Sequence, residues 1–189
     1  MNNELDKFNK VKKDNNYFKD IIAYILIIIF VILIRTFVIT PVRVDGDSMN
    51  NNLKDGEILL LKKFDKSYER FDVIVFKYGS DRLIKRIIGL PGEKVYYKDN
   101  KLYINDNYVE EVMIDKKTYD FDMSQLGYEV IPDGYYFVMG DNRTNSKDSR
   151  IIGFVSEKDI LGTTNFIIFP FSKFGSINWW IIQKAYMKK

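Results

Sequence analysis

From Ile21 to Thr40 the chain reads IIAYILIIIFVILIRTFVIT, twenty residues in which Arg35 is the sole charge. As a helix rising about 1.5 Å per residue, this run covers roughly 30 Å, the thickness of a bilayer's hydrocarbon core. A helix that is apolar on every face suits lipid better than a protein core, which asks for a single stripe. A cleavable targeting sequence fits poorly, because the run is long and T-P-V-R-V-D follows it instead of a small-x-small site. Arg35 stands about one and a half turns from the far end, close enough for its head to reach the interface. The chain is therefore expected to divide into a tail (1–20), one transmembrane helix (21–40) and a larger part beyond. Lys7, Lys10, Lys12, Lys13 and Lys19 precede the span, against only Arg43 and Lys54 in the twenty residues after it. By the positive-inside rule the N-terminus is cytoplasmic, and the rest of a single-pass cell-membrane protein lies outside.

The 189 residues contain neither Cys nor His. Disulfides, thiol nucleophiles and cysteine or histidine metal sites are excluded, and any hydrolysis must proceed without an imidazole base. No metal is expected. A net charge of +3, without a basic cluster interleaved with aromatics, gives no footprint for nucleic acid.

Beyond Val42 the pattern is mainly β. Glu57–Lys62, Asp72–Lys77 and Arg82–Ile88 are apolar runs of strand length, the last ending at the turn G-L-P-G. Val95–Lys98 and Lys101–Asn105 flank Asp99-Asn100 as a tight hairpin, and Asp106-Asn107 makes a second turn. Tyr135–Met139 is a further strand, while Ile114–Gly127 reads as a polar loop. Residues 171–189 carry Phe171, Phe174, Trp179, Trp180 and a terminal Lys188-Lys189. Two readings suit that tail, a membrane-interfacial segment or one packed on the core.

Two places look unlike ordinary β-domain sequence. In Asp45-Gly46-Asp47-Ser48-Met49 a glycine turn can expose both a serine hydroxyl and backbone N–H groups, although the same letters also make a plain surface turn. Gly140 to Arg150 (G-D-N-R-T-N-S-K-D-S-R) is a dense polar run directly after the strand YYFVM, either a solvated loop or a hydrogen-bonded site. A serine nucleophile without histidine needs another base, and lysine serves only if burial lowers its pKa from about 10.4. Lys85 has the most apolar neighbours, in Leu83-Ile84-Lys85-Arg86-Ile87-Ile88. Strand alternation would send Lys85 and Arg86 to opposite faces, one buried and one wet.

Taken together these segments resemble the type I signal peptidases, Ser/Lys endopeptidases of bacterial membranes, and most closely their Gram-positive form. The resemblance runs from about Ile34 to Pro170. It rests on L-I-R-T-F, V-D-G-D-S-M, F-D-V-I-V-F-K, K-R-I-I-G-L-P-G-E and G-D-N-R-T-N-S-K-D-S-R, in that order behind one N-terminal span. It implies an antiparallel β catalytic core (41–170) with a smaller, variable β insertion at 93–132. Ser48 is implied as nucleophile and Lys85 as general base, Ser146 as the residue that hydrogen-bonds and orients Lys85, and Asp148 with Arg150 as a supporting pair. Val42, Val44, Met49, Leu53 and Ile84 would line shallow pockets for small side chains. The implied partners are signal-peptide-bearing preproteins and the lipid bilayer, and no cofactor is implied.

Four positions depart from that pattern. Asn51 and Asn52 stand where a proline and a threonine are usual, and without the proline the turn behind Ser48 is less preorganised. Phe71 stands where glycine is usual, and Glu93 replaces aspartate. Gly46 occupies a position that in some relatives is a serine adding its hydroxyl to the oxyanion site, so the Ser48 N–H is left as the protein donor. Two other readings compete. A catalytically weak relative acting as an assembly chaperone at the membrane would be expected to have lost Ser48 or Lys85. A self-cleaving Ser/Lys regulator would be expected to carry a DNA-binding module instead of a span.

Overall fold

The computed structural model describes residues 2–177 except 51, 65, 115 and 116, and the chain forms two compact units, one up to Ile39 and one from Thr40. Asn51, Trp179, Trp180 and the terminal lysines thus lie outside the described residues.

The first unit is a single helix, α1 (Asn2–Phe37). Within it Tyr17–Thr36 has mean hydropathy 2.5, and none of that stretch is buried against protein. The helix is long and apolar enough to cross a membrane. It differs from the sequence reading at both ends, since residues 2–20 are also helical and Phe37 is its last residue. The physical reason for the early stop is local. Val38, Ile39 and Thr40 are β-branched, and Pro41 pushes Thr40 out of the helical region.

After the helix the chain runs through β1 (Ile39–Arg43), β2 (Ile58–Lys62), β3 (Val73–Tyr78), β4 (Asp81–Gly89), β5 (Val95–Lys98), β6 (Lys101–Ile104), β7 (Asn107–Val109), β8 (Phe121–Asp122) and β9 (Tyr135–Met139). It then forms the short helix α2 (Ser149–Ile152), β10 (Val155–Ser156), β11 (Ile160–Phe169) and β12 (Gly175–Ser176). The larger sheet has the order β1-β2-β11-β3-β4-β9-β10, with β12 also on β11, and a four-stranded sheet has the order β7-β6-β5-β8. The β2–β11, β11–β3, β3–β4 and β4–β9 pairs are antiparallel, as are those of the smaller sheet. The fold is mainly antiparallel β, and the smaller sheet falls within 93–132, the stretch expected to form an insertion.

Both faces of the larger sheet are covered, which explains its continuous apolar runs. Along β3 alternate residues enter different cores: Val73 and Val75 join Leu59, Leu61 and Ile84, whereas Ile74 and Phe76 join Ile87, Val138 and Ile160. A third core, with Val95, Tyr97, Leu102 and Phe121, joins the smaller sheet to Phe137 and Met139 of β9. The β5–β6 hairpin turns at Asp99 (φ 52°) and Asn100 (φ 64°), both left-handed as a two-residue turn of this kind requires. The next turn is centred on Asn105 and Asp106, one residue earlier than the sequence suggests, and Asn107 already pairs with Ile104. The stretch read as a polar loop contains β8 and a 3₁₀ turn at Met123–Leu126, capped by the Asp122 carboxylate on Ser124 N. In the tail Ile177 is buried in the core and Lys173 pairs with the buried Glu57, while Phe171 and Phe174 are exposed.

Candidate active site

Ser48 sits in the turn between β1 and β2. Gly46 takes φ 81°, open to a residue without a Cβ, and its N–H is held by Asp55 Oδ1 at 2.9 Å. Asn50 N donates to Asp47 O and Leu53 N to Met49 O, closing the turn so that Leu53 points inward. From the other end of the domain Asn142 fastens the same turn, its N–H donating to Ser48 O (3.0 Å) and its Nδ2 to Asp47 O (3.0 Å). Among the described residues the Ser48 N–H has no hydrogen-bond partner.

Lys85 reaches Ser48 from β4. Its Nζ donates to Ser48 Oγ at 2.7 Å and to Ile84 O at 2.9 Å. The side chain is 2 % exposed, and that burial lowers its pKa to about 8, against the opposing pull of Asp148 and Asp141. Burial penalises the ammonium because it removes water from a charge, so a neutral amine is populated near neutrality.

Arg86 corrects the expected division of faces. It too is fully buried, because Ile84 to Gly89 is covered on both sides. Burial of a guanidinium demands a partner. Arg86 Nε and Nη2 grip Asp141 Oδ1 and Oδ2 at 2.8 and 2.7 Å, and Nη1 donates to Phe71 O at 2.7 Å. Phe71 itself takes φ 73°, a left-handed conformation in which a glycine would be unstrained.

The loop after β9 supplies the rest. Arg150 binds Asp148 through both carboxylate oxygens, at 2.9 and 2.8 Å, and Asp148 also accepts from Gly140 N and caps α2 at Arg150 N. Gly140 is required by crowding. A Cβ there would stand 2.2 Å from Ser146 Oγ and 2.4 Å from Ser48 O. Ser146 is thus packed beside the Ser48 backbone, but among the described residues its buried hydroxyl has no hydrogen-bond partner and does not bond Lys85. With its two bonds to Ser48 and Ile84, Lys85 has one ammonium proton unengaged among the described residues.

A cleft of about 750 Å³ opens at Ser48 and Lys85, lined by Val42, Val44, Met49 and Ile84, with Arg43 and Arg82 also on its wall. Leu53 does not line it. The turn buries Leu53 completely in the core with Val44, Met49 and Leu59, so it supports the cleft from beneath. Sequence reasoning gave no role to Asn52, Asp141, Asn142 or Arg143, and expected of Arg86 only a face opposite Lys85. The only signal for them was a charge inside an apolar strand and the polar density after YYFVM.

Residues 17–169 match the family model described as signal peptidase, peptidase S26. Signal peptidase I S of Bacillus subtilis is 36% identical over 183 residues, 91% of this chain and 100% of the relative. Signal peptidase IB of Staphylococcus aureus is 36% identical over 171 residues, 81% of this chain and 88% of the relative. A solved signal peptidase I from Enterococcus faecalis is 38% identical, with a TM-score of 0.49, covering 51% of this chain and 96% of its own. With a family match across most of its length and relatives this similar, the chain belongs to the peptidase S26 family of signal peptidases.

Proposed function

We propose that this chain is a membrane-anchored serine endopeptidase that cuts signal peptides from exported preproteins, with Ser48 as nucleophile and Lys85 as general base. The observation that carries the assignment is the 2.7 Å contact between Ser48 Oγ and a buried Lys85 whose pKa is about 8. A neutral Lys85 takes the hydroxyl proton as Oγ attacks the scissile carbonyl carbon, and the carbonyl electron pair moves onto its oxygen. The unpartnered Ser48 N–H is the donor available to that oxyanion. The Lys85 ammonium then returns the proton to the departing amine, leaving the signal peptide as an ester on Ser48. A water deprotonated by Lys85 attacks the ester, and Oγ recovers its proton. In this reading Ser146 orients Lys85 by accepting the unengaged ammonium proton after a turn of its hydroxyl-bearing side chain, and its packing near Gly140 beside Ser48 O supports that role. Asp148 and Arg150 hold the loop that carries it. Val42, Val44, Met49 and Ile84 offer apolar surface for the small side chains that flank the cut. In this reading α1 spans the cell membrane once. The excess of lysines ahead of the span leaves the N-terminus in the cytoplasm and the catalytic domain outside.

The test is cleavage of a secretory preprotein by detergent-solubilised full-length protein, with the cut mapped by mass. A single cut after a small-x-small sequence is expected. It should vanish in Ser48→Ala and Lys85→Ala, and in Lys85→Arg, because guanidinium holds its proton throughout the working range. Substantial cleavage by Lys85→Arg overturns the dyad.

A further inference from the structure

The insertion reaches the catalytic centre at two points. On one side Arg143, from the loop that follows β9, is fully buried among insertion residues. Its Nη2 donates to Glu111 Oε1 (2.5 Å), and its Nη1 donates to Tyr97 OH (2.8 Å), Glu111 Oε2 (3.1 Å) and Thr118 Oγ1 (3.1 Å). Tyr97 OH in turn donates to Glu111 Oε1 at 3.0 Å. On the other side Asn52, from the nucleophile turn, donates through Nδ2 to Met113 O (2.9 Å) and to Asp141 Oδ2 (2.8 Å). One short stretch, Glu111 to Met113, therefore grips both the Ser48 turn and the loop whose Asn142 holds Ser48 O and Asp47 O.

We infer that Glu111, with Arg143 and Asn52, positions the nucleophile, so that the insertion sets the Ser48–Lys85 geometry. The inference rests on the dyad reading above. Its physical basis is the character of the link. A desolvated ion pair contributes little net stability compared with apolar packing, but it fixes a single register, because every alternative leaves a buried charge unpaired. Glu111 and Arg143 are such a pair, their side chains 10 % and 0 % exposed. Asn142 follows Arg143 in any displacement, and it moves the Ser48 carbonyl with it. A misplacement of about 1 Å at a reacting atom can cost on the order of 100-fold in rate. Glu111 touches no reacting atom and acts only through this chain of contacts.

The decisive experiment measures kcat and KM of full-length Glu111→Gln, Asn52→Ala and their double variant on one signal-peptide substrate, per folded molecule. Ser48→Ala serves as the control. Glu111→Gln and Asn52→Ala should each lower kcat about 10- to 100-fold with KM within about twofold, as a displaced nucleophile requires. The double variant should lose less than the product of the two, since both loosen one turn. If Glu111→Gln does not fold, Tyr97→Phe decides. It keeps the ring packing, removes one bond to the pair, and should lower kcat by about threefold at unchanged KM. An unchanged kcat per folded molecule in the variants that fold, or a change confined to KM, overturns the inference. Cleavage by Ser48→Ala would instead remove the dyad reading beneath it.

Discussion

At Lys85, burial lowers the pKa to about 8 while Asp148 and Asp141 pull it back. Moving from 10.5 to about 8 makes the folded state the weaker proton binder, at roughly 1.36 kcal/mol per unit. Between those values the unfolded chain holds the extra proton, so stability rises with pH across this window. Below pH 8 the full penalty of roughly 3 kcal/mol applies, and above the unfolded value it is gone. Lys85→Met should therefore be inactive yet melt higher than the parent near pH 7, and the gap should close as pH approaches 10.5. Calorimetric melting of both proteins across that range checks this, and a gap that does not change with pH refutes it. Activity of the parent should climb through a midpoint near pH 8, as the amine becomes neutral. Ser48 and Lys85 were legible because a chain without histidine leaves few bases, and because Lys85 is embedded in isoleucines. Asp148 with Arg150 was legible only through family resemblance. Asp141 and Arg143 were not, because their significance lies in partners 55 and 32 residues away in sequence, Arg86 and Glu111. Phe71 was visible as an oddity, and the structure supplies its meaning: a left-handed residue whose carbonyl accepts from Arg86.

Among the elements, β2, β3, β4, β5, β6 and β9 were readable from compact apolar runs and turn residues. β11 was not, although it is the longest strand. Its apolar residues gather at the two ends around Gly162-Thr163-Thr164-Asn165, and register shifts break the period of two on both flanks. Gly162 explains one of those shifts. It takes φ 151°, and a Cβ there would stand 2.0 Å from Lys62 O on the neighbouring strand. Gly162→Ala must either break the β2–β11 pairing or bend the strand. A loss of about 2–3 kcal/mol is expected from backbone strain and overpacking. For a protein of this size that corresponds to a drop in Tm of roughly 5–10 °C. A Tm within 2 °C of the parent, a change of about 1 kcal/mol or less, would show that the pairing tolerates a side chain.

For the molecule as a whole, every residue of the proposed dyad and its supports lies in the second unit, from Thr40 onward. Because α1 ends at Phe37, deleting residues 1–37 leaves β1 whole. The shortened protein should cleave a soluble signal peptide at a rate similar to the parent. It should lose most of its rate on membrane-inserted preproteins, because the anchor confines enzyme and substrate to one plane. Failure of a folded truncation to cut the soluble peptide would show that the helix has a part in catalysis. The place of β11 bears on when the enzyme comes into being. A chain is made from its N-terminus, so β1 to β4, with both Ser48 and Lys85, exist long before Ile160–Phe169 does. Within the sheet β2 and β3 hydrogen-bond to β11, which lies between them, although Leu59 and Leu61 also share a core with Val73 and Val75. Until that late strand arrives, the ladder that joins the Ser48 side of the sheet to the Lys85 side is incomplete. On the proposed dyad, a nascent chain that has not yet reached Ile160 lacks the strand that sets Ser48 and Lys85 in one sheet, so proteolysis should begin only once the last strands are made.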